Sequence, residues 1–374
     1  MKFTTDQPPL ADWLKRVASV ADERSPAPLF QCVRIDITET KLSLSATNSL
    51  FNMRSGYGLL AGEPGSVSTP AGRLASLVGS LRPDAPVTIA YETVGPNNAP
   101  HLRVRSGRTN VLLEAIDPID LPVFASKFPE PQISVTVAEF DAMLAFTAPA
   151  MEDTPDRPAL WGVGLFYEPP GDVYAAATDG RSGALYHLDA SASEFPTIIL
   201  PRPLCQKLRI LLKGQNEEIK IAINPRSVQF LTSDWGLIGK IIDAEPMAYK
   251  RWMPGLVDNP VTINTAELGA ILNRFEAATD MDNIKLKQHG AVLSFANQTL
   301  RLRNAPRTFE DQMAVVYEGE PDELGINSVH FREAISVIGQ EEVELHYRNR
   351  EAPIRVCAPG VSDKAFITTP YSIL

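Results

Sequence analysis

The chain has 374 residues, 44% of them hydrophobic and 21% charged, and a formal net charge of −10. That balance belongs to an ordinary globular chain with material for two or three domains, and it excludes collagen-like, low-complexity and strongly basic nucleic-acid-coating classes. Cys32, Cys205 and Cys357 are odd in number and far apart, which excludes a full disulfide framework and a Cys-based metal motif and fits a reducing compartment. Aromatic residues make up only 7%, so the cores are expected to be aliphatic. The opening MKFTTDQPPLADWLKR has no apolar stretch after its lysine, and no window approaches the roughly 18 apolar residues of a membrane span. A cytoplasmic location with no membrane partner is the expectation.

In chain order, the first expected helix is LADWLKRVASVAD (10–22), followed by the strand pair VRIDITETKLSLSATN (33–48). A second helix falls within 69–82, where Leu74, Leu77, Val78 and Leu81 keep the i, i+3, i+4, i+7 spacing of one buried face. The strand VTIAY follows, then LRVRSGRTNVLLEAI (102–116) and the proline-rich stretch LPVFASKFPEPQ (121–132). The order then begins again. A helix at 137–151 precedes the strand pair 163–179, and a helix at 201–213 with Leu204, Leu208, Leu211 and Leu212 on one face precedes IKIAI. After MPGLVDNP (253–260), a third round has a helix at 265–280, a strand pair at 284–298, a helix carrying Phe331, Ile335 and Ile338, and the strand VELHY. ETK, PPGD and QHGA are the expected hairpin turns.

The repeat spacing is 131 residues from Pro70 to Pro201 and 127 from Pro201 to Ser328. Each unit reads α-β-β, then α-β-β-β. The chain is therefore expected to be α+β, with three tandem similar domains at 1–127, 128–255 and 256–374. Like units joined by heterologous contacts form closed rings when the rotation closes. In such a ring the sheets lie outside and the helices inside. Charge tests this weakly: over the six helical segments Lys and Arg exceed Asp and Glu by one, so the remainder carries −11.

Several stretches in the right order resemble the beta subunit of bacterial DNA polymerase III, the sliding clamp, over essentially the whole chain. AAATDGRSGAL (175–185) resembles that family's ATDGHRLA segment, and LPRPLCQKLRILL its VPRK helix. IIDAEPMAYKRWMP (241–254), LRVRSGRTNVLLEAI and GINSVHFREAI (325–335) resemble three further family segments, and TTPYSIL stands at the family's MPMRL tail. The resemblance implies a clamp-fold, head-to-tail homodimer that encircles double-stranded DNA without reading its sequence, and has no cofactor and no reaction of its own. Its implied partners are the DNA polymerase III catalytic subunit, the clamp loader and other proteins with clamp-binding motifs. A ring held by topology does not need tight phosphate contact, which reconciles the fold with the negative charge.

By the same resemblance, DNA contact is expected from Arg24, Arg73, Arg202, Lys207, Arg209 and Lys213. A partner-peptide cleft is expected from Leu160, Thr178, Gly180, Arg181, Met247, Arg251, Trp252, Asn327, His330, Pro353, Pro370 and Tyr371. Val111, Leu113, Ala277 and Ala278 occupy the dimer positions. The chain departs from the family in telling places. Arg181-Ser182-Gly183 stand for His-Arg-Leu, Met247 for a proline, and Trp252 for a small aliphatic residue, so the peptide preference is expected to differ. The alternative reading is a divergent clamp-like protein that binds polymerase or repair factors without loading on DNA. A catalytic reading lacks a constellation: no His or Cys stands beside Asp179-Gly180-Arg181 to complete a nucleophile–base pair, the five histidines have no metal spacing, and no phosphate-binding G-x-x-x-x-G-K-[ST] loop is present.

Overall fold

Proline placement and apolar spacing set the helices. In the computed structural model, which describes residues 1–58, 62–119, 128–278, 290–304 and 307–371, helix α1 spans Gln7–Ala18 and buries Leu10, Trp13, Leu14 and Val17. It begins before the expected start because Pro8 and Pro9 sit in the first turn, where a missing N–H costs nothing. The one-turn α2 (Pro28–Gln31) precedes α3 (Ala71–Gly79), which packs on α1, and the buried Gln7 amide donates to the Val78 carbonyl at 2.7 Å. Next come α4 (Val137–Thr147), α5 (Arg202–Leu212), α6 (Thr265–Ala278) and α7 (Ser328–Ile338). Helix α5 buries the four expected leucines. Asn327 caps α7 by accepting from the Val329 and His330 amides, and Gly339 ends it in the left-handed conformation. Among the described residues no helix is long and apolar enough to cross a membrane.

The chain groups into two compact units, Met1–Val137 with Gln215–Ile241, and Ala138–Gly214 with Ile242–Leu374. In the first unit, Gly62–Glu63, Lys2–Thr5, Val87–Val94, Ala99–Ser106 and Thr109–Glu114 form a five-stranded sheet in that order, which leaves Thr109–Glu114 at an edge. A second sheet runs from Ile133–Thr136 through Glu218–Asn224, Ser227–Leu231 and Trp235–Lys240 into Phe51–Gly58, Lys41–Thr47, Cys32–Ile37 and Gly65–Pro70. Its pivotal ladder is antiparallel, with Trp235 opposite Ser55 and Gly239 opposite Phe51, and it joins strands of the first and second repeats.

The second unit repeats this device. Its eight-stranded sheet joins Ser182–Leu188 of the second repeat to Lys364–Thr368 of the third, with Ser182 opposite Thr368 and Tyr186 opposite Lys364. A four-stranded sheet in the order Glu310–Ala314, Thr299–Asn304, Gly290–Ala296, Asp322–Asn327 completes the unit, with Glu310–Ala314 at an edge. Fully buried Phe140, Phe230, Phe275, Phe295, Phe331 and Phe366 accompany the expected aliphatic core. The three cysteines are free and buried, and burial pushes the Cys205 thiol up to about 12.

One expected hairpin is corrected. Strand Gly290–Ala296 pairs with Thr299–Asn304 on one side and Asp322–Asn327 on the other. Both its edges are taken, so it does not pair through a QHGA turn. The turn lies instead at Asn297 and Gln298, both at positive φ (50° and 60°), as a tight hairpin of this twist demands. Residues 279–289, which hold the expected strand at 284–287, and 121–127, which hold the first expected boundary, lie outside the described residues.

A side-chain acceptor marks the same turn in each repeat. Asn48 Oδ1 accepts from the Leu50 and Phe51 amides at 2.8 and 2.7 Å, Asp179 Oδ1 from Arg181 and Ser182 at 2.8 and 2.6 Å, and Asn304 Oδ1 from Thr308 and Phe309 at 2.9 and 3.0 Å. Each turn delivers the chain into the next strand: Phe51–Gly58, Ser182–Leu188 or Glu310–Ala314. Asn48→Ala and Asp179→Ala are each expected to cost about 1–3 kcal/mol, since each strands two amide donors. Urea unfolding checks this, and a loss below about 0.3 kcal/mol would contradict the assigned role.

Candidate partner cleft and DNA-facing helices

The Asp179 turn and the start of α7 build the polar part of the candidate cleft. Thr178 Oγ1 donates to the Ser182 carbonyl at 2.6 Å, and the Gly180 amide donates to Thr178 Oγ1 at 3.0 Å. Gly180 has φ +86°, a conformation that suits glycine. Arg181 from this turn and Asn327 and His330 from α7 line one cavity of about 490 Å³. Sequence reasoning missed the charged walls Glu152, Asp153, Arg157, Asp179 and Glu333, and Arg202, expected at DNA, also lines this cavity. These positions are scattered along the chain and only the fold brings them together, although the Glu152-Asp153 pair a few residues after α4 is a usable signal.

The carboxylates of this cavity are unevenly matched. Glu152 pairs with Arg157, and Asp153 pairs with Arg202 at 2.9 Å. Glu333 is half-buried, and its carboxyl is held above its usual range, first by burial and then by the neighbouring Asp179 charge.

The remaining expected cleft residues do not line this cavity. The Thr369 amide donates to the Arg181 carbonyl at 2.9 Å, which ties the C-terminal segment to the Asp179 turn. The Tyr371 amide reaches the Gly325 carbonyl at 2.8 Å, and its ring lies over Gly290, where a β-carbon would sit 2.5 Å from Cε1. Gly290 in turn pairs with Asn327. Pro370 is half-buried between Thr369 and Tyr371. Leu160 is buried, and its carbonyl accepts from the Glu152 amide. Pro353 is half-buried and directly precedes Ile354, which pairs with Thr368.

The segment 241–254 lies over the sheet. Tyr249 packs edge-on to Phe166 at 5.3 Å and donates to Glu168, which Lys250 also reaches at 2.6 Å. Trp252 packs against the cluster of Ala176, Leu185 and Tyr249. Its ring covers Gly183 so closely that a β-carbon there would lie 2.5 Å from Cζ3. The indole Nε1 is buried without a hydrogen-bond partner. Met247 stays 47% exposed, and Arg251 is exposed.

Among the expected DNA contacts, Arg24, Arg73, Arg209 and Lys213 are exposed, and Lys207 is half-buried. Arg209 lies 3.9 Å from Asp141 of α4. Arg202 is the most engaged: besides Asp153, its guanidinium donates to the Met151 and Glu152 carbonyls at 2.9 and 3.2 Å. Glu344, His346 and Cys357 also converge, with donor atoms within 4.8 Å of one another. His346 Nδ1 already accepts from the Val257 amide at 3.2 Å, so Nε2 carries the proton and faces Glu344 at 3.2 Å. In that tautomer the ring's one lone pair, on Nδ1, is already engaged by the Val257 amide.

Residues 1–125 match the family model for the N-terminal domain of the DNA polymerase III beta subunit. Over 381 aligned residues the chain is 24% identical to the beta sliding clamp of Caulobacter vibrioides, covering all of both. It is 25% identical over 379 residues to that of Pseudomonas aeruginosa, again covering all of both. The crystal structure of the Pseudomonas aeruginosa DNA polymerase III subunit beta superposes with a TM-score of 0.88 at 25% identity, over 99% of this chain and 100% of that one. Along its whole length the chain is similar to the beta sliding clamps, the DNA polymerase III beta subunits. Gly183 and Trp252 fit each other: the glycine leaves the space that the indole fills.

Glu333 yields a test. Its folded carboxyl holds the proton more tightly than the ordinary value of 4.5, so the unfolded state releases its proton first as pH rises. Stability is then lost as pH climbs from about 4.5 through the raised folded value. Glu333→Gln is expected to melt higher than the parent at pH 7 and together with it near pH 4. An equal gap at both pH values would contradict the linkage.

Proposed function

We propose that two copies of this chain close head to tail into a ring around duplex DNA and, with no reaction of their own, tether replication proteins in the cytoplasm. The three repeats, 1–127, 128–255 and 256–374, are its domains. The observation that carries the proposal is the pair of sheet edges. Within the chain, the strand after the Asn48 turn pairs with Trp235–Lys240, and the strand after the Asp179 turn pairs with Lys364–Thr368. The strand after the Asn304 turn, Glu310–Ala314, lies at a sheet edge, and so does the first repeat's last strand, Thr109–Glu114. The same antiparallel step between two copies satisfies both edges and closes the ring. Exposed Arg105 and Arg108 lie beside one edge, and exposed Glu310 lies on the other.

Val111 and Leu113 of the edge strand, with Ala277 and Ala278 at the exposed end of α6, contribute apolar surface to this contact. Alanines bury little area at about 25 cal/mol per Å², so the dimer is weaker than one with larger residues there. Sedimentation is expected to show dissociation in the nanomolar range, and a dimer intact at that dilution would contradict it. Gln312→Pro removes an amide from the edge strand and is expected to give a monomer with little change in melting temperature.

Arg24, Arg73, Lys207, Arg209 and Lys213 face the duplex and make loose, salt-sensitive contacts, with Arg202 partly committed to its own loop. The cleft around Arg181, Asn327, His330, Trp252 and Tyr371 receives extended segments of the polymerase III catalytic subunit, the loader and other partners. The clamps of Pseudomonas aeruginosa and Bartonella birtlesii have both been solved bound to griselimycin, and we propose the same compound as a ligand of this cleft.

Retention on DNA tests the ring. After loading by the cognate loader and ATP, the protein is expected to stay on nicked circular DNA through a high-salt wash and to leave when the circle is cut. Partner binding with no such retention would favour the clamp-like interaction protein that does not load.

A further inference from the structure

We infer that Trp252 is the specificity-determining residue of the partner cleft, closing its apolar side and leaving the polar cavity as the main recognition surface. This rests on the proposed cleft. Two neighbouring features lie along one stretch of chain. Arg181 lines the open polar cavity with Asn327, His330 and Glu333. Two residues further on, Gly183 lies flat beneath the Trp252 ring. The indole is seated in the cluster of Ala176, Leu185 and Tyr249, beside Phe166, Tyr174 and Met253. It thus occupies the apolar ground that a bulky partner side chain would need.

The fit at Gly183 is reciprocal and leaves no slack. Any side chain there collides with the ring, and removing the ring bares an apolar hollow floored by a glycine. The buried Nε1 without an acceptor adds a second physical mark. A desolvated donor is an energetic cost, and the close packing of the ring on Gly183 and its cluster offsets it. The cleft therefore selects an extended segment with a small residue over Trp252 and a polar, hydrogen-bonding side chain in the cavity. Arg181, Asn327 and His330 offer donors there, and Glu333 and Asp179 offer acceptors. A segment whose affinity depends on a large apolar anchor is refused, because a filled pocket returns no burial energy.

Griselimycin binding by calorimetry separates the outcomes, with the Pseudomonas aeruginosa clamp as the positive reference and melting curves as the check on folding. Trp252→Val is expected to bind at least about tenfold more tightly than the parent chain, and Trp252→Phe, which keeps a ring over Gly183, is expected to stay within about threefold of the parent. Parent affinity equal to that of the reference would overturn the role of Trp252 and leave the cleft standing. No binding by the parent or by either folded variant would overturn the cleft itself. A second pair of variants, Gly183→Leu and Gly183→Leu with Trp252→Val, reads the packing: the single change is expected to lower the melting temperature, and the double change to recover most of the loss.

Discussion

Strand pairing across repeat boundaries is the constraint on which the rest of the structure depends. A repeat of this kind ends in a strand with one unsatisfied edge, and backbone amides and carbonyls left unpaired are costly wherever water is excluded. The chain meets that demand twice internally, at Phe51–Gly58 with Trp235–Lys240 and at Ser182–Leu188 with Lys364–Thr368. Both joins follow a turn fixed by an acceptor side chain, Asn48 or Asp179, which sets where the outgoing strand begins. The third such turn, at Asn304, leads to a strand that lies at a sheet edge within the chain. One edge strand in each unit is what the proposed head-to-tail assembly requires.

The same join positions the cleft. Ser182 opposite Thr368 brings the Asp179 turn beside the C-terminal segment, and the Thr369 and Tyr371 amides extend that contact. The cavity lined by Arg181, Asn327 and His330 is therefore a by-product of two repeats sharing a sheet, and its shape is tied to their register. The net charge of −10 sits comfortably with this architecture. The proposed ring would need few phosphate contacts, and the exposed cations named above are sparse.

Much of this was legible in the sequence. The helices announce themselves by apolar residues at i, i+3, i+4 and i+7, and the four leucines of α5 are buried as that spacing requires. The third hairpin differs from the expected one for a physical reason: QHGA carries a glycine and looks like a turn, whereas Asn297-Gln298 turns without one by holding two non-glycine residues at positive φ. The first helix starts before the expected Leu10 because Pro8 and Pro9 fit a first turn. Gly183 and Trp252 were each visible as departures from the family, but nothing in a one-dimensional pattern reveals that one fills the space left by the other. Nor does it reveal that Glu152, Asp179 and Glu333 share a cavity, since that depends on long-range packing alone.

The most direct measurement is electron cryomicroscopy of the purified protein with a short duplex at micromolar concentration. Pairing of Glu310–Ala314 with Thr109–Glu114 of a second copy predicts a closed ring of two chains and six domains, with duplex DNA passing through a central hole. Particles that are single chains, or dimers joined through any other surface with the DNA outside, would contradict it.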